Sequence, residues 1–245
     1  TGVRGGKGYF MIGWSQLDTD PLNDLLAPLG YERFAKDYLS LGGAGHSQIG
    51  RFVIGGQGHG QLAQSRDAFL VSAPFRTQLR SGAGFADLGA IVWQNDRWTV
   101  TPLVGLGGGV STFEVQDRSA DTFGQVIADP RRSARLSRSA FLIDLSVMVD
   151  AFVVLQQTES HVGGLVVGIR GGYVLAPIQG DWHLDDRALG GGPDAPFEGP
   201  YLRVLIGGGG RRVRESEAYS SRAGGGGISA AGPRRHCGAA GKGRG

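Results

Sequence analysis

From Trp98 to Ser111 the chain alternates between two kinds of residue. Trp98, Val100, Pro102, Val104, Leu106 and Val110 share one parity, while Thr99, Thr101, Gly105, Gly107, Gly109 and Ser111 share the other. The same period of two recurs in three further segments. Residues 138–153 set Phe141, Ile143, Leu145, Val147, Val149 and Val153 against Asp144, Ser146 and Asp150, and residues 163–176 set Leu165, Val167, Ile169, Tyr173 and Leu175 against Gly168, Arg170 and Gly172. Residues 200–209 set Leu202, Val204 and Ile206 against Tyr201 and Arg203. Successive side chains of a strand point to opposite faces, so each segment reads as a strand with one apolar face. The longest clean apolar run, Ala151 to Leu155, is far shorter than the roughly 20 residues of a membrane-spanning helix.

The pattern predicts eight strands, at 8–17, 38–46, 50–62, 77–94, 98–116, 138–153, 163–176 and 200–209. One helix is expected at 20–29, with Asp20 as N-cap, Pro21 in the first turn and Gly30 as terminator. The connections alternate in length. Those at 18–37, 63–76, 117–137 and 177–199 are long, and those at 47–49, 95–97 and 154–162 are shorter. In an up-and-down antiparallel sheet every second connection lies at the same end, so one rim gathers the long loops and the other the short turns. That is the loop signature of a transmembrane β-barrel with an even strand count.

The orientation follows from the polar parity, which is rich in Gly and carries Asp and Arg. It suits a narrow interior better than a water-facing wall. Isolated buried ions are costly, so interior charges must pair. The candidates are Asp144 and Asp150 with Arg170, Arg203, Arg80 and Arg51. Trp93 and Trp98 flank the turn at 95–97, and Trp14 and Tyr173 lie near strand ends, where amphipathic rings meet lipid headgroups. Two residues run against the scheme: Asp87 falls on the parity of Leu79, Ala83, Phe85, Ile91 and Trp93, and Glu114 on that of Val110. A bulge near Gly84 or Gly89 would re-aim the first, and a position above the membrane would explain the second.

The formal charge of +3 is a property of one end. Residues 211–245 hold seven Arg and one Lys against Glu215 and Glu217, a balance of +6 that leaves −3 for residues 1–210. This Gly/Arg-rich tail has few large apolar residues and is expected to be disordered, so the chain divides into a barrel domain, 1–210, and a tail, 211–245. With Tyr219 as its one Phe, Tyr or Trp residue the tail offers no stacking platform, and no nucleic acid is expected. The 45 glycines follow no G-X-Y period, which excludes collagen. Cys237 is the single cysteine, and neither a disulfide nor a metal site is indicated. Residues 1–8, TGVRGGKG, contain no apolar signal core, and a mature form or a fragment is expected.

With segments such as GGLVVGIRGGYVLAP and GPYLRVLIGGGG, the region from residue 8 to 210 resembles small eight-stranded bacterial outer-membrane β-barrel proteins. The resemblance implies residence in the outer membrane of a Gram-negative bacterium, contact with its lipid, and a monomer with a plugged polar interior. Some barrels of this type modify lipids by acyl transfer or deacylation. That chemistry needs a Ser–His pair with an acidic partner, for which only His46 and His59, across one hairpin, stand near Ser47. His161, His183 and His236 form no motif. Asp181, Asp185, Asp186, Asp194 and Glu198 share a loop without DxDxDG spacing, and the glycine runs fit neither GxGxxG nor a P-loop. The expectation is therefore a non-enzymatic barrel without metal or cofactor, whose long loops meet a surface ligand or protein. The alternatives are a lipid-modifying barrel enzyme and a soluble exported barrel that binds a small apolar ligand.

Overall fold

A computed structural model describes residues 4–70, 73–95, 97–119, 133–158 and 161–212. The tail from residue 213, with His236 and Cys237, and the middle of the 117–137 connection lie outside the described residues, as does the disorder expected of that tail. Among the described residues, twelve antiparallel strands form one sheet. They are β1 (Arg4–Gln16), β2 (Asp37–Ile49), β3 (Phe52–Gln61), β4 (Gln64–Leu70), β5 (Ala73–Ala90), β6 (Trp93–Gln94), β7 (Trp98–Asp117), β8 (Ser133–Gln157), β9 (His161–Gln179), β10 (Trp182–Leu184), β11 (Arg187–Leu189) and β12 (Gly199–Arg212). The pairing path runs β8–β9–β12–β1–β2–β3–β5–β7 and returns from β7 to β8. The first and last strands meet as neighbours, with Phe10 opposite Ile206 and Ser15 opposite Tyr201.

The count is twelve rather than the expected eight, and the additional strands arise where hydrophobic alternation gives no signal. Residues 63–76, expected as a loop, are mostly a hairpin: β4 pairs with β5 from Gln64 opposite Leu79 to Leu70 opposite Ala73. Its polar residues carry no binary pattern, yet the backbone pairs, and Arg76 Nε donates to its cross-strand partner Asp67 at 3.0 Å. That hydrogen bond holds the Asp67 carboxyl below the usual carboxylate range. The strand expected at 77–94 stops at Ala90 and resumes as β6, which turns back onto β7 through Asn95, whose Oδ1 accepts from the backbone N–H groups of Arg97 and Trp98. Within 177–199 lies the small β10–β11 hairpin.

Helix α1 (Asp20–Leu26) continues as a 3₁₀ turn, Ala27–Leu29, and ends at Gly30 with φ +86°. The N-cap is Thr19 rather than Asp20. Asn23 fixes this loop, since its Oδ1 accepts from Phe34 N at 2.8 Å and its amide donates to Phe34 O at 2.9 Å. Leu22 and Leu26 are thereby turned inward. With Leu17, Phe34, Leu79, Phe113, Leu142 and Phe197 they form an apolar cluster at the long-loop end. A second cluster, including Met11, Val53, Leu103, Met148, Val166 and Leu205, packs on the side of the short turns. Two of the long connections therefore fold over the mouth and seal it.

The inward-facing glycines have a steric reason. A Cβ on Gly13 would stand 2.2 Å from Leu202 O and 2.7 Å from Arg203 Cγ, and one on Gly42 would stand 2.7 Å from His59 Cβ. Large interior side chains are set opposite residues that have none. Gly8 faces outward, and a Cβ there would meet nothing within 4 Å. Gly13→Ala is expected to destabilise the fold by about 1–3 kcal/mol, as overpacking does, and Gly8→Ala to stay within about 0.5 kcal/mol. Urea unfolding of the two variants measures the difference.

Candidate functional site

Between the two apolar clusters lies a layer of buried polar side chains. Arg170, on β9, is 1% exposed and grips two carboxylates. Its Nη1 and Nη2 donate to Asp87 at 2.9 and 3.2 Å, and Nη2 also donates to Asp144 Oδ2 at 2.7 Å. Its Nε donates to Ser146 Oγ at 3.1 Å. Asp144 further accepts from the Tyr201 hydroxyl at 2.8 Å and from Gln57 Nε2 at 2.7 Å. Arg203 donates to Gln57 Oε1 at 3.0 Å and to His59 Nε2 at 2.9 Å, and its guanidinium lies 3.9 Å from the centre of the Tyr201 ring. Arg170 and Arg203 are direct cross-strand partners. Their repulsion is offset by Asp144 and by the ring and amide between them. Lys7 donates to Asp150 Oδ2, and His46 Nε2 meets Asp87 Oδ2 at 2.9 Å. Three basic side chains thus face three carboxylates, and their formal charges balance.

The residues expected inside divide into two groups. Asp144, Asp150, Arg170 and Arg203 are all buried in this layer. Arg80 and Arg51 are exposed and do not join it. Arg80 sits on the outward parity of β5 and donates to Gln78 Oε1 at 2.8 Å, and Arg51 lies in the β2–β3 turn. Asp87, which the parity of its neighbours assigns to an apolar outer face, points inward at 0% exposure. No bulge is needed, because the pairing of β5 with β7 is unbroken from Phe75 to Gly89. The face containing Leu79, Phe85, Asp87 and Ile91 is itself the interior face, apolar at both ends and charged in the middle. Glu114 faces outward and pairs with Arg135 at 3.2 Å. His46 and His59 are not brought together. Each is taken up by a separate partner, and no carboxylate among the described residues bonds His59. Gln57, Lys7 and Tyr201 complete the layer. Of these, Tyr201 is legible from its parity with Arg203.

The outer wall has a sharp boundary. On β5 the outward residues pass from Leu88, Ala86, Gly84 and Gly82 to Arg80, Gln78 and Arg76. On β7 they pass from Val104, Leu106, Gly108 and Val110 to Thr112, Glu114 and Gln116. On β8 they pass from Leu145, Ile143 and Phe141 to Ser139, Ser137, Arg135 and Ser133. The register places Gly82, Val110 and Ser139 in one row, and Arg80, Thr112 and Ser137 in the next. The change from apolar to polar therefore falls between the same two register rows on three neighbouring strands. From Trp98 to Val110 the apolar stretch of β7 spans roughly 40 Å along the strand at about 3.3 Å per residue. With the usual tilt of about 40° that is about 30 Å, close to the thickness of hydrocarbon. Trp93, Trp98, Trp14 and Tyr173 are all half exposed on the outside, the first two at the short-turn rim and the last two toward the long-loop rim. Trp14 Nε1 donates to Asp37 Oδ1 at 2.9 Å, which anchors its polar edge.

An all-antiparallel sheet with apolar side chains outside and a paired charge layer inside defines the class. No family model and no curated protein sequence matches this chain. Among solved structures it is similar to Ail, the attachment invasion locus protein of Yersinia pestis, at 12% identity and a TM-score of 0.39, covering 84% of this chain and 98% of that one. A second structure of Ail, in complex with the heparin analogue sucrose octasulfate, gives a TM-score of 0.40 at the same identity and coverage. The outer membrane protease OmpT of Escherichia coli is similar at 10% identity and a TM-score of 0.36, covering 86% of this chain and 97% of that one. At these identities no residue role passes from those proteins to this one.

Proposed function

We propose that the chain is a transmembrane β-barrel of the Gram-negative outer membrane, eight strands around, with a sealed charged interior and a non-enzymatic structural or surface-contact role through its long-loop end. The observation that carries this reading is the sorting of the wall: Val104, Val147 and Val167 are 40–48% exposed while Asp150 and Arg170 are at most 1% exposed. A soluble barrel would reverse that sorting, because its apolar parity would line the interior. The two apolar clusters above and below the charge layer argue against an open pore. Against acyl transfer stands the capture of His59 by Arg203 in place of an acidic partner.

The test is heat-modifiability of the full chain refolded into detergent or vesicles. The folded protein is expected to migrate differently in SDS before boiling than after it, and to remain with the membrane fraction under alkaline wash. Solubility without detergent, together with one unchanging band, would reject the barrel reading.

A further inference from the structure

The short-turn rim gathers cations and leaves them unanswered. The strand ends and connections on that side, residues 4–7, 50–51, 91–97, 158–160 and 211–212, hold six basic residues against Asp96 and Glu159. Lys7 is taken up by the buried Asp150. Arg51, Arg97 and Arg211 are exposed, and none has an ion-pair partner among the described residues. At the opposite end Arg33, Lys36, Arg76 and Arg135 each meet a carboxylate within 3.2 Å, on Asp24, Asp20, Asp67 and Glu114. Unpaired guanidiniums gathered on one rim raise the local potential, and an anion from outside the chain relieves it.

Two of these arginines, Arg51 and Arg211, line one groove of about 440 Å³ with Val92, Trp93 and Asn95. Asn95 Oδ1 accepts from the backbone of Arg97 and Trp98, which leaves its Nδ2 donor without a partner among the described residues. Val92 and Trp93 are 61% and 51% exposed, and Trp93 stands opposite Val100 on the outward face, so the groove opens sideways onto the apolar wall. Guanidiniums hold phosphate through paired N–H donors, and a half-exposed Trp suits the level where headgroup meets acyl chain. A free anion would need only the arginines. The apolar side of the groove fits a phosphate that carries hydrocarbon.

We propose that this groove docks an anionic glycerophospholipid of the leaflet at the short-turn rim, with its phosphate on Arg51 and Arg211 and its acyl chains along Val92 and Trp93. The proposal rests on the barrel reading and adds to it the class of lipid and the place of contact. The chain leaves the barrel on the same rim, at Arg212, and residues 213–245 hold six basic residues against Glu215 and Glu217. Groove and tail are rival sources of a preference for anionic lipid, and the test separates them.

Quenching of Trp93 fluorescence by brominated lipid is the test. The chain has four tryptophans. Trp14→Phe with Trp98→Phe leaves Trp93 as the one on the outer wall, and the buried Trp182 adds a constant background. The full chain with these two changes is refolded into phosphatidylcholine vesicles that contain either brominated phosphatidylcholine or brominated phosphatidylglycerol, and heat-modifiability confirms that each preparation is folded. Quenching by brominated phosphatidylcholine reports on the barrel reading, because it needs a wall in contact with hydrocarbon. Its absence would overturn that reading and this proposal with it. With that contact present, phosphatidylglycerol is expected to occupy the site beside Trp93 about fivefold more tightly than phosphatidylcholine, the worth of one arginine beside an anionic surface. The advantage should fade at about 1 M salt. Arg51→Gln with Arg211→Gln should abolish the preference, while Arg80→Gln, which changes an exposed arginine at the opposite end, should leave it in place. Equal quenching by the two lipids before the arginines are changed would overturn the proposal alone. So would a preference that survives the double substitution, which would belong to the tail.

Discussion

Arg170→Met should cost about 3–5 kcal/mol of folding free energy and should remove the SDS-resistant folded form, because it leaves two buried carboxylates without their cation. Asp87 and Asp144 are both 0% exposed, and among the described residues Arg170 is the one guanidinium that reaches both. After the substitution Asp87 retains only His46, and Asp144 retains Tyr201 and Gln57, which are neutral donors. Methionine matches the length of the arginine stem, so loss of charge rather than loss of volume dominates the effect. The triple variant Arg170→Met, Asp87→Asn, Asp144→Asn is therefore expected to regain most of the lost stability. Urea titrations of refolding into vesicles measure both. If Arg170→Met unfolds within about 1 kcal/mol of the parent, the charge layer does not hold the interior together in the way the distances imply.

The second large effect concerns depth. Val104→Arg places a cation on the outward face of β7, well inside the apolar band, and should cost about 2–4 kcal/mol in a bilayer. Ser139→Arg, at the boundary row beside Val110, should cost about 0–1 kcal/mol. Both positions are solvent-accessible in the isolated protein, so in water neither substitution would disturb packing. A difference between them arises only if hydrocarbon covers one and not the other. Equal and small effects in vesicles would mean that the outer wall does not sit in a membrane.

The parity that exposes Val104 and buries Arg170 is plain in the sequence, because an alternating strand commits every second residue once one face is known. Parity fails where both faces have the same character. Leu103, Met148 and Leu205 point inward from strands whose outward residues are also apolar, so the apolar clusters of the interior carry no periodic signal. Asp87 escapes parity for a related reason. Its neighbours Leu79, Phe85 and Ile91 belong to those clusters, and an apolar interior face resembles a lipid-facing one when read alone. Arg80 shows the converse. It lies on the outward parity, one row beyond the apolar band, where the charge meets water, and only the register of three strands reveals that row. The glycines opposite Arg203 and His59 are a readable sign of large interior side chains. Choosing those partners from a linear sequence requires strand register, which periodicity does not supply.

Pairing of β1 with β12 joins segments nearly the whole described chain apart, from Gly5 opposite Arg211 to Ser15 opposite Tyr201. Without that pairing the sheet has two free edges, each a row of unsatisfied amides open to the wrong neighbour. Completion is consequently an event of the finished polypeptide, and contacts of such long range close slowly. Removing either end strand would not shorten the cylinder but unzip it, turning one product into an aggregation-prone ribbon. A chain built this way needs protection from its own kind until its last strand has been made.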